Sequence, residues 1–276
     1  MIHGTGLVVL LALLFFGSGG VQPAEDAPAT QPSGVLTEAS SVDDVLDALH
    51  RAGQDLQSLR ATVLLTDLDS DTGDEKRQPG KVVLRRSDEL VSFRVTIMGV
   101  LVETDNGPGL REERIEYLLQ GDELVERNYK MRQEIIRKLP PEQAERDLLK
   151  LGEGPFPLPI GQSRDDVRRM FEVREVDPAN PDENPMRIEA PEGTRRLRLT
   201  PREGTDIADK FRWLEIDVTL ADGLPRRVIT LNRTGSTTRI TDLRDLKINQ
   251  AVSETDFALQ PVNHSEWNVI YEELGD

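Results

Sequence analysis

The 276-residue chain contains no cysteine. That absence excludes disulfides, thiolate metal sites, a cysteine nucleophile and a lipid-modified cysteine, so stability must come from a packed core. Histidine is nearly as scarce: His3, His50 and His264 are isolated from one another and suggest no metal triad. Positive charge is short as well, with 34 Lys and Arg against 50 Asp and Glu, a formal net charge of −16. No basic cluster offsets it, which argues against nucleic acid or an anionic membrane surface as a standing partner. Ser265 beside His264 lacks a converging acid and a nucleophile-elbow glycine, and pairs such as Glu112-Glu113 or Asp165-Asp166 read as solvated faces, so no catalytic residue is assigned.

What is present begins with an export signal. Leu7 to Phe16 is an unbroken apolar run followed by Gly17, Ser18, Gly19 and Gly20, the pattern of a secretory signal peptide over residues 1–20 cut after Gly20. The run is too short to span a bilayer. An exported chain without cysteine fits a periplasm-like compartment better than the outside world. Residues 21–39, rich in Pro, Ala, Ser, Gln and Thr, read as a flexible linker, and residues 40–276 as a single domain with one sizeable core.

The domain should open with a helix. Ser41 and Asp44 have capping-box spacing, and Val42, Val45, Leu46, Leu49, Leu56 and Leu59 recur at helical period, with Gly53 expected to break or bend it. From Arg60 the period becomes two, giving strands over Thr62–Asp67, Lys81–Arg86, Val91–Ile97, Arg114–Leu119, Glu123–Met131 and Gln133–Leu139. Helices are expected from Pro140-Pro141 to Leu151 and over Ser163–Phe171, separated by an apolar, proline-rich loop carrying Phe156, Leu158 and Ile160. Asp177–Pro191 reads as a solvated acidic loop. Strands resume at Arg195–Thr200, Phe211–Leu220, Arg226–Asn232 and Ser236–Leu243, with hairpin turns at Ala221-Asp222-Gly223 and Thr234-Gly235. Hairpin distances throughout predict a mainly β, α+β fold: a strongly curved antiparallel sheet or half-open barrel with helices covering its apolar concave face.

Alternation identifies that face: Val82 and Leu84; Val91, Phe93, Val95 and Ile97; Ile115, Tyr117 and Leu119; Leu214, Ile216, Val218 and Leu220. Their neighbours, such as Lys81, Arg85, Arg94, Glu116, Glu215 and Asp217, are charged. The stripe fits either a packed core or the wall of a ligand cavity. Strict alternation also sends Arg86 inward at the end of an apolar row, where it must meet carboxylates or helix-terminal carbonyls, or else snorkel to the rim. Asp67-x-Asp69-x-Asp71-x-Gly73 resembles the start of a calcium loop, but its glycine falls one position late and Gln78 stands where a bidentate Glu belongs, so it reads as a hairpin loop. No metal or other cofactor is expected.

The run Gly80-Lys81-Val82-Val83-Leu84-Arg85-Arg86, followed by Phe93-Arg94-Val95, resembles the glycine-led strand, basic pair and hydrophobic strand of periplasmic outer-membrane lipoprotein carriers, the LolA-like proteins. Gly121-Asp122-Glu123-Leu124, Lys130 to Ile135, Leu197 to Pro201, Leu214 to Val218, and Ile248-Asn249 ahead of Thr255-Asp256-Phe257 are similar to later segments of that family, in the same order. Two features depart from it: Ser87 replaces the usual proline, and aromatics are only 4% of the chain. The resemblance implies a non-enzymatic carrier binding acyl chains of a lipoprotein or related amphiphile. The ligand wall would comprise the residues of the apolar face together with Phe156, Leu158 and Ile160, with Arg86 as the latch of a lid. It also implies an inner-membrane donor and an outer-membrane acceptor as partners of a monomer. The same scaffold serves envelope-stress sensors that bind amphiphile fragments and a membrane partner, which is the alternative function. In that setting the tail from Pro261, with Trp267 and Tyr271, is a docking strand or a terminal strand packed on the domain.

Overall fold

The computed structural model describes residues 36–87, 91–105, 107–139 and 161–273. The signal peptide, most of the linker, the helix expected from Pro140 and the loop with Phe156, Leu158 and Ile160 lie outside these residues.

Twelve strands form one open, curved sheet: β1 Ser58–Asp69, β2 Glu75–Arg86, β3 Val91–Thr104, β4 Gly107–Gln120, β5 Glu123–Asn128, β6 Gln133–Lys138, β7 Phe171–Val176, β8 Thr194–Pro201, β9 Phe211–Thr219, β10 Pro225–Asn232, β11 Thr237–Ile248 and β12 Asn268–Glu273. Their order across the sheet is β12-β6-β5-β4-β3-β2-β1-β11-β10-β9-β8-β7. Neighbours are antiparallel except β12, which runs parallel to β6. Strand β1 pairs with β2 on one side and β11 on the other, stitching the N- and C-terminal halves together. Gly80 allows the close approach of β2 to its neighbours, since a Cβ there would lie 2.7 Å from the Thr96 carbonyl oxygen.

Helix α1, Val42–Gln54, starts at the capping box its sequence predicts: Asp44 N donates to Ser41 Oγ at 3.2 Å and Ser41 N to Asp44 Oδ2 at 2.7 Å. It ends at Gln54, one residue past Gly53, so Leu56 and Leu59 belong to the following turn and to β1. Helix α2, Arg164–Met170, is capped by Ser163. Phe171 is the first residue of β7, a strand the sequence did not reveal.

Helices α1 and α2 lie on the inner face of the C-terminal half. Val45, Leu46 and Leu49 of α1 and Val167 of α2 pack on Phe171, Leu197, Leu199, Leu214, Ile216 and Val218. Burying a leucine such as Leu46 or Leu49 contributes roughly 1.5–3 kcal/mol, which holds a 13-residue helix that would be marginal alone. The inner face of the N-terminal half carries a second cluster built from β1, β2, β3 and β4.

On the outer face the charged residues Glu116, Arg127, Glu134, Arg196, Glu215 and Asp217 are buried. Two chain segments lie over them. The first is the acidic 177–191 segment, expected to be a solvated loop. Its carbonyls at Glu183, Ile188 and Glu189 accept hydrogen bonds from Arg198, Arg196 and Arg227, and Asn184 is buried within it. The second is residues 249–267, which carry the chain from the end of β11 across to the far edge at β12. Asn249, with φ of 54°, pins the turn after α1 by accepting from Gln57 N at 2.8 Å and donating to Asp55 O at 2.9 Å. Farther along, Arg60 holds Asp256, Phe257 is buried beneath the Arg85 guanidinium, Arg94 donates to the Asp256 and Ala258 carbonyls, and Arg127 donates to Gln260 O. Trp267 meets Tyr129 edge-on at 5.3 Å.

A common device explains why arginine dominates here. Arg94, Arg127, Arg196, Arg198 and Arg227 each give one arm to a carboxylate on a neighbouring strand, Glu116, Glu134, Asp217, Glu215 and Asp242 respectively, and another arm to a carbonyl of the overlying segment. A guanidinium has five donors in a planar fork and can serve both at once, whereas an ammonium is a point donor.

Candidate functional site

Strand register assembles the inner face of the N-terminal half into apolar rungs. Leu59, Leu84, Phe93, Leu119 and Leu124 lie side by side across β1 to β5. The next rung is Ala61, Val82, Val95 and Tyr117, and the one after is Val63, Gly80, Ile97 and Ile115. Val91 adjoins them at one end, and Leu139 and Leu243 join the cluster from the end of β6 and from β11. The structure thus brings together Val82, Leu84, Val91, Phe93, Val95, Ile97, Ile115, Tyr117 and Leu119. Leu214, Ile216 and Val218 lie on the same sheet but in the other cluster, fully buried beneath α1. Their alternation is the same, yet the helix already occupies their face.

Arg86 stands at the end of this wall, opposite Val91. Its Nη1 donates to the Gly53 carbonyl oxygen in the last turn of α1 at 3.3 Å, while its backbone N–H donates to Gln57 O at 2.8 Å. The helix C-terminus is where a cation is favoured. The other guanidinium nitrogens, Nε and Nη2, are buried without a hydrogen-bond partner among the described residues. Burial pushes this group down to about 10, which leaves it charged at neutral pH. A helix-terminal carbonyl was one of the partners its position required, but only one of its arms is met.

Alternation on β5 also directs Glu126 inward, opposite Tyr117, a polar residue overlooked beside the more obvious apolar stripe. Arg137 of β6 satisfies it at 3.1 Å and reaches Glu272 of β12 at 2.7 Å, forming a charged border along that side of the wall. The tail after Pro261 therefore packs on its own domain through β12.

The remaining sequence candidates have structural occupations. Asp67 pairs with Arg239, and Asp69 caps the N–H groups of Asp71 and Thr72. His50 Nδ1 lies 2.8 Å from the Gly161 carbonyl and Nε2 3.0 Å from Gln54 Nε2. Among the described residues no three His, Asp or Glu side chains converge as metal ligands. No described helix is long and apolar enough to cross a membrane. A polar cleft of about 600 Å³ opens between residues 189–192 and the ends of β9 to β11, its Arg226, Arg227 and Arg244 facing Glu189, Glu192 and Asp242.

No protein-family model matches the chain, and no curated protein does. Solved structures do, at low identity. An uncharacterized conserved protein from Thermus thermophilus is 14% identical with a TM-score of 0.46, the match covering 84% of this chain and all of that one. A chain of the MucA/MucB complex of Pseudomonas aeruginosa is 16% identical with a TM-score of 0.42, covering 79% of this chain and 60% of that one. A LolA superfamily protein from Nitrosomonas europaea is 12% identical with a TM-score of 0.35, covering 80% and 99%.

Proposed function

We propose that the chain is a non-enzymatic periplasmic carrier that holds acyl chains of a lipoprotein or related amphiphile against the inner wall of β1 to β5. The observation that carries this reading is Arg86. A guanidinium with two buried nitrogens that find no partner among the described residues, at the end of an apolar wall, is a costly way to finish a packed core, since an unmet buried donor costs about 1–3 kcal/mol or more. At the mouth of an amphiphile site the same group has a purpose: it latches α1 to the end of the wall through Gly53 and keeps the seating of a chain reversible, so that cargo can leave. Each methylene taken out of water contributes about 0.8 kcal/mol, so binding needs neither cofactor nor covalent chemistry. The ordered motifs from Gly80 to Phe257 support the same role.

Native mass spectrometry of the protein purified from the cell envelope tests this. Bound long-chain lipid is the expected result, and an empty protein under every loading condition overturns it. Capture from envelope extract separates transport from sensing, because a carrier brings down lipoproteins and a sensor one dominant regulator.

A further inference from the structure

Tyr117 occupies the middle of the wall. Its neighbours across the strands are Val95 and Glu126, and along the same face of β4 they are Ile115 and Leu119. The residue is 4% exposed, and its hydroxyl is buried with no hydrogen-bond partner among the described residues. Burial and the charge of Glu126 push this phenol's pKa up, so it stays a protonated donor. Glu126, Arg137 and Arg239 all lie near the hydroxyl, but Glu126 Oε2 accepts from Arg137 at 3.1 Å and Tyr117 Oη completes a hydrogen bond to no group among the described residues.

A buried tyrosine normally finds a partner for its hydroxyl, because phenylalanine fills the same space without the desolvation cost. Here the donor points into the surface that the carrier reading assigns to the cargo. On the basis of that reading, we infer that the Tyr117 hydroxyl donates a hydrogen bond to the carbonyl oxygen of an acyl ester or amide lying on the wall. The site thereby selects acylated amphiphiles over chains joined through an ether. Hydrocarbon contact alone cannot make that distinction, since both kinds of chain bury the same methylenes.

Wild type and Tyr117→Phe are compared as full-length proteins, using 1-palmitoylglycerol and its ether counterpart 1-O-hexadecylglycerol to displace a fluorescent fatty acid. One added hydrogen bond, worth about 1 kcal/mol net, predicts that wild type binds the ester about fivefold more tightly than the ether. Tyr117→Phe should bind the ether as wild type does and lose the preference. The same carbonyl occurs in free glycerolipids and in lipidated protein N-termini. A dipalmitoylglyceryl-cysteine peptide compared with dipalmitoylglycerol separates these sources, and a Tyr117-dependent advantage with either supports the inference. An ester preference that survives Tyr117→Phe, or none in wild type, overturns the inference while leaving the carrier reading intact. Binding of no probe at all overturns both. Ligand-free Tyr117→Phe should melt at or above the wild-type temperature, and a fall of several degrees would reveal a hidden protein partner and overturn the inference independently.

Discussion

Arg60 and Asp256, 196 residues apart in the chain, meet in a two-armed pair: Nη1 to Oδ1 at 2.9 Å and Nη2 to Oδ2 at 2.5 Å. Arg60 belongs to β1, the strand that joins the two halves of the sheet, and Asp256 lies midway along the segment that crosses the outer face. The pair holds the Asp256 carboxyl down to about 2, through the Arg60 hydrogen bonds above all. Asp256→Ala should cost about 1–2 kcal/mol, because both side chains are partly exposed. Hydrogen exchange should accelerate across residues 250–267 and in β12 while β8 and β9 stay protected. Uniform loss of protection would show that this segment is not a separable unit.

Glu116 predicts the acid limb of stability. It is buried at the centre of the outer face, and burial alone would raise its pKa. Tyr129 at 2.6 Å, Arg94 at 2.5 Å and Arg114 at 2.8 Å outweigh that and hold the carboxyl down to about 2. A folded-state pKa below the unfolded one gives stability that is complete above the unfolded value near 4.5 and is lost as pH falls toward 2. Denaturant melts between pH 6 and pH 2.5 should show that decline, on the order of 2–3 kcal/mol from this group. Glu116→Gln should be less stable at pH 6 and respond less steeply to acid. A variant that retained the wild-type slope would assign the acid limb to other carboxylates.

The inner wall was readable because alternation is local. Val82 and Leu84, or Phe93, Val95 and Ile97, announce one face within a few residues, and Arg86 follows by the same count. The outer face was not readable in this way. Arg94 and Glu116 look like solvated alternates until register places them together, and the segments covering them come from residues 177–191 and 249–267, distant in sequence. Leu214, Ile216 and Val218 have the same period as Val82 and Leu84, but only tertiary packing reveals that α1 fills the space above them. Phe171 to Val176 escaped because no turn residue separates α2 from β7.

Arg196 and Asp217 test whether the buried pairs act as units. Arg196 is 1% exposed and donates from Nε and Nη2 to the two carboxylate oxygens, each at 2.7 Å, while Nη1 reaches Ile188 O at 2.9 Å. Asp217→Ala leaves a buried guanidinium without its main partner and should cost about 3–5 kcal/mol. Replacing both, as Arg196→Met with Asp217→Leu, should recover much of that loss, because desolvation of both charges disappears with them. A double variant as unstable as the single one would show that the hydrogen bond to the 177–191 segment, not the ion pair, is the dominant contribution.

Arg86 yields the prediction that separates wall from latch. Its guanidinium donates one long hydrogen bond to Gly53 O and, among the described residues, leaves Nε and Nη2 unmet, so its net contribution to folding is small or negative. Arg86→Leu extends the apolar row beyond Leu84 and removes the buried charge, so the ligand-free protein should melt at the wild-type temperature or a few degrees above it. The same change should raise lipid occupancy in native mass spectra and slow transfer of bound lipid to acceptor vesicles, because the mouth then favours the chain and no longer favours water. Arg86→Lys keeps the charge but loses the fork, and should restore release without restoring the Gly53 contact. If Arg86→Leu instead melts well below wild type with occupancy unchanged, Arg86 is a strut between β2 and α1, and the latch must be sought elsewhere on the wall.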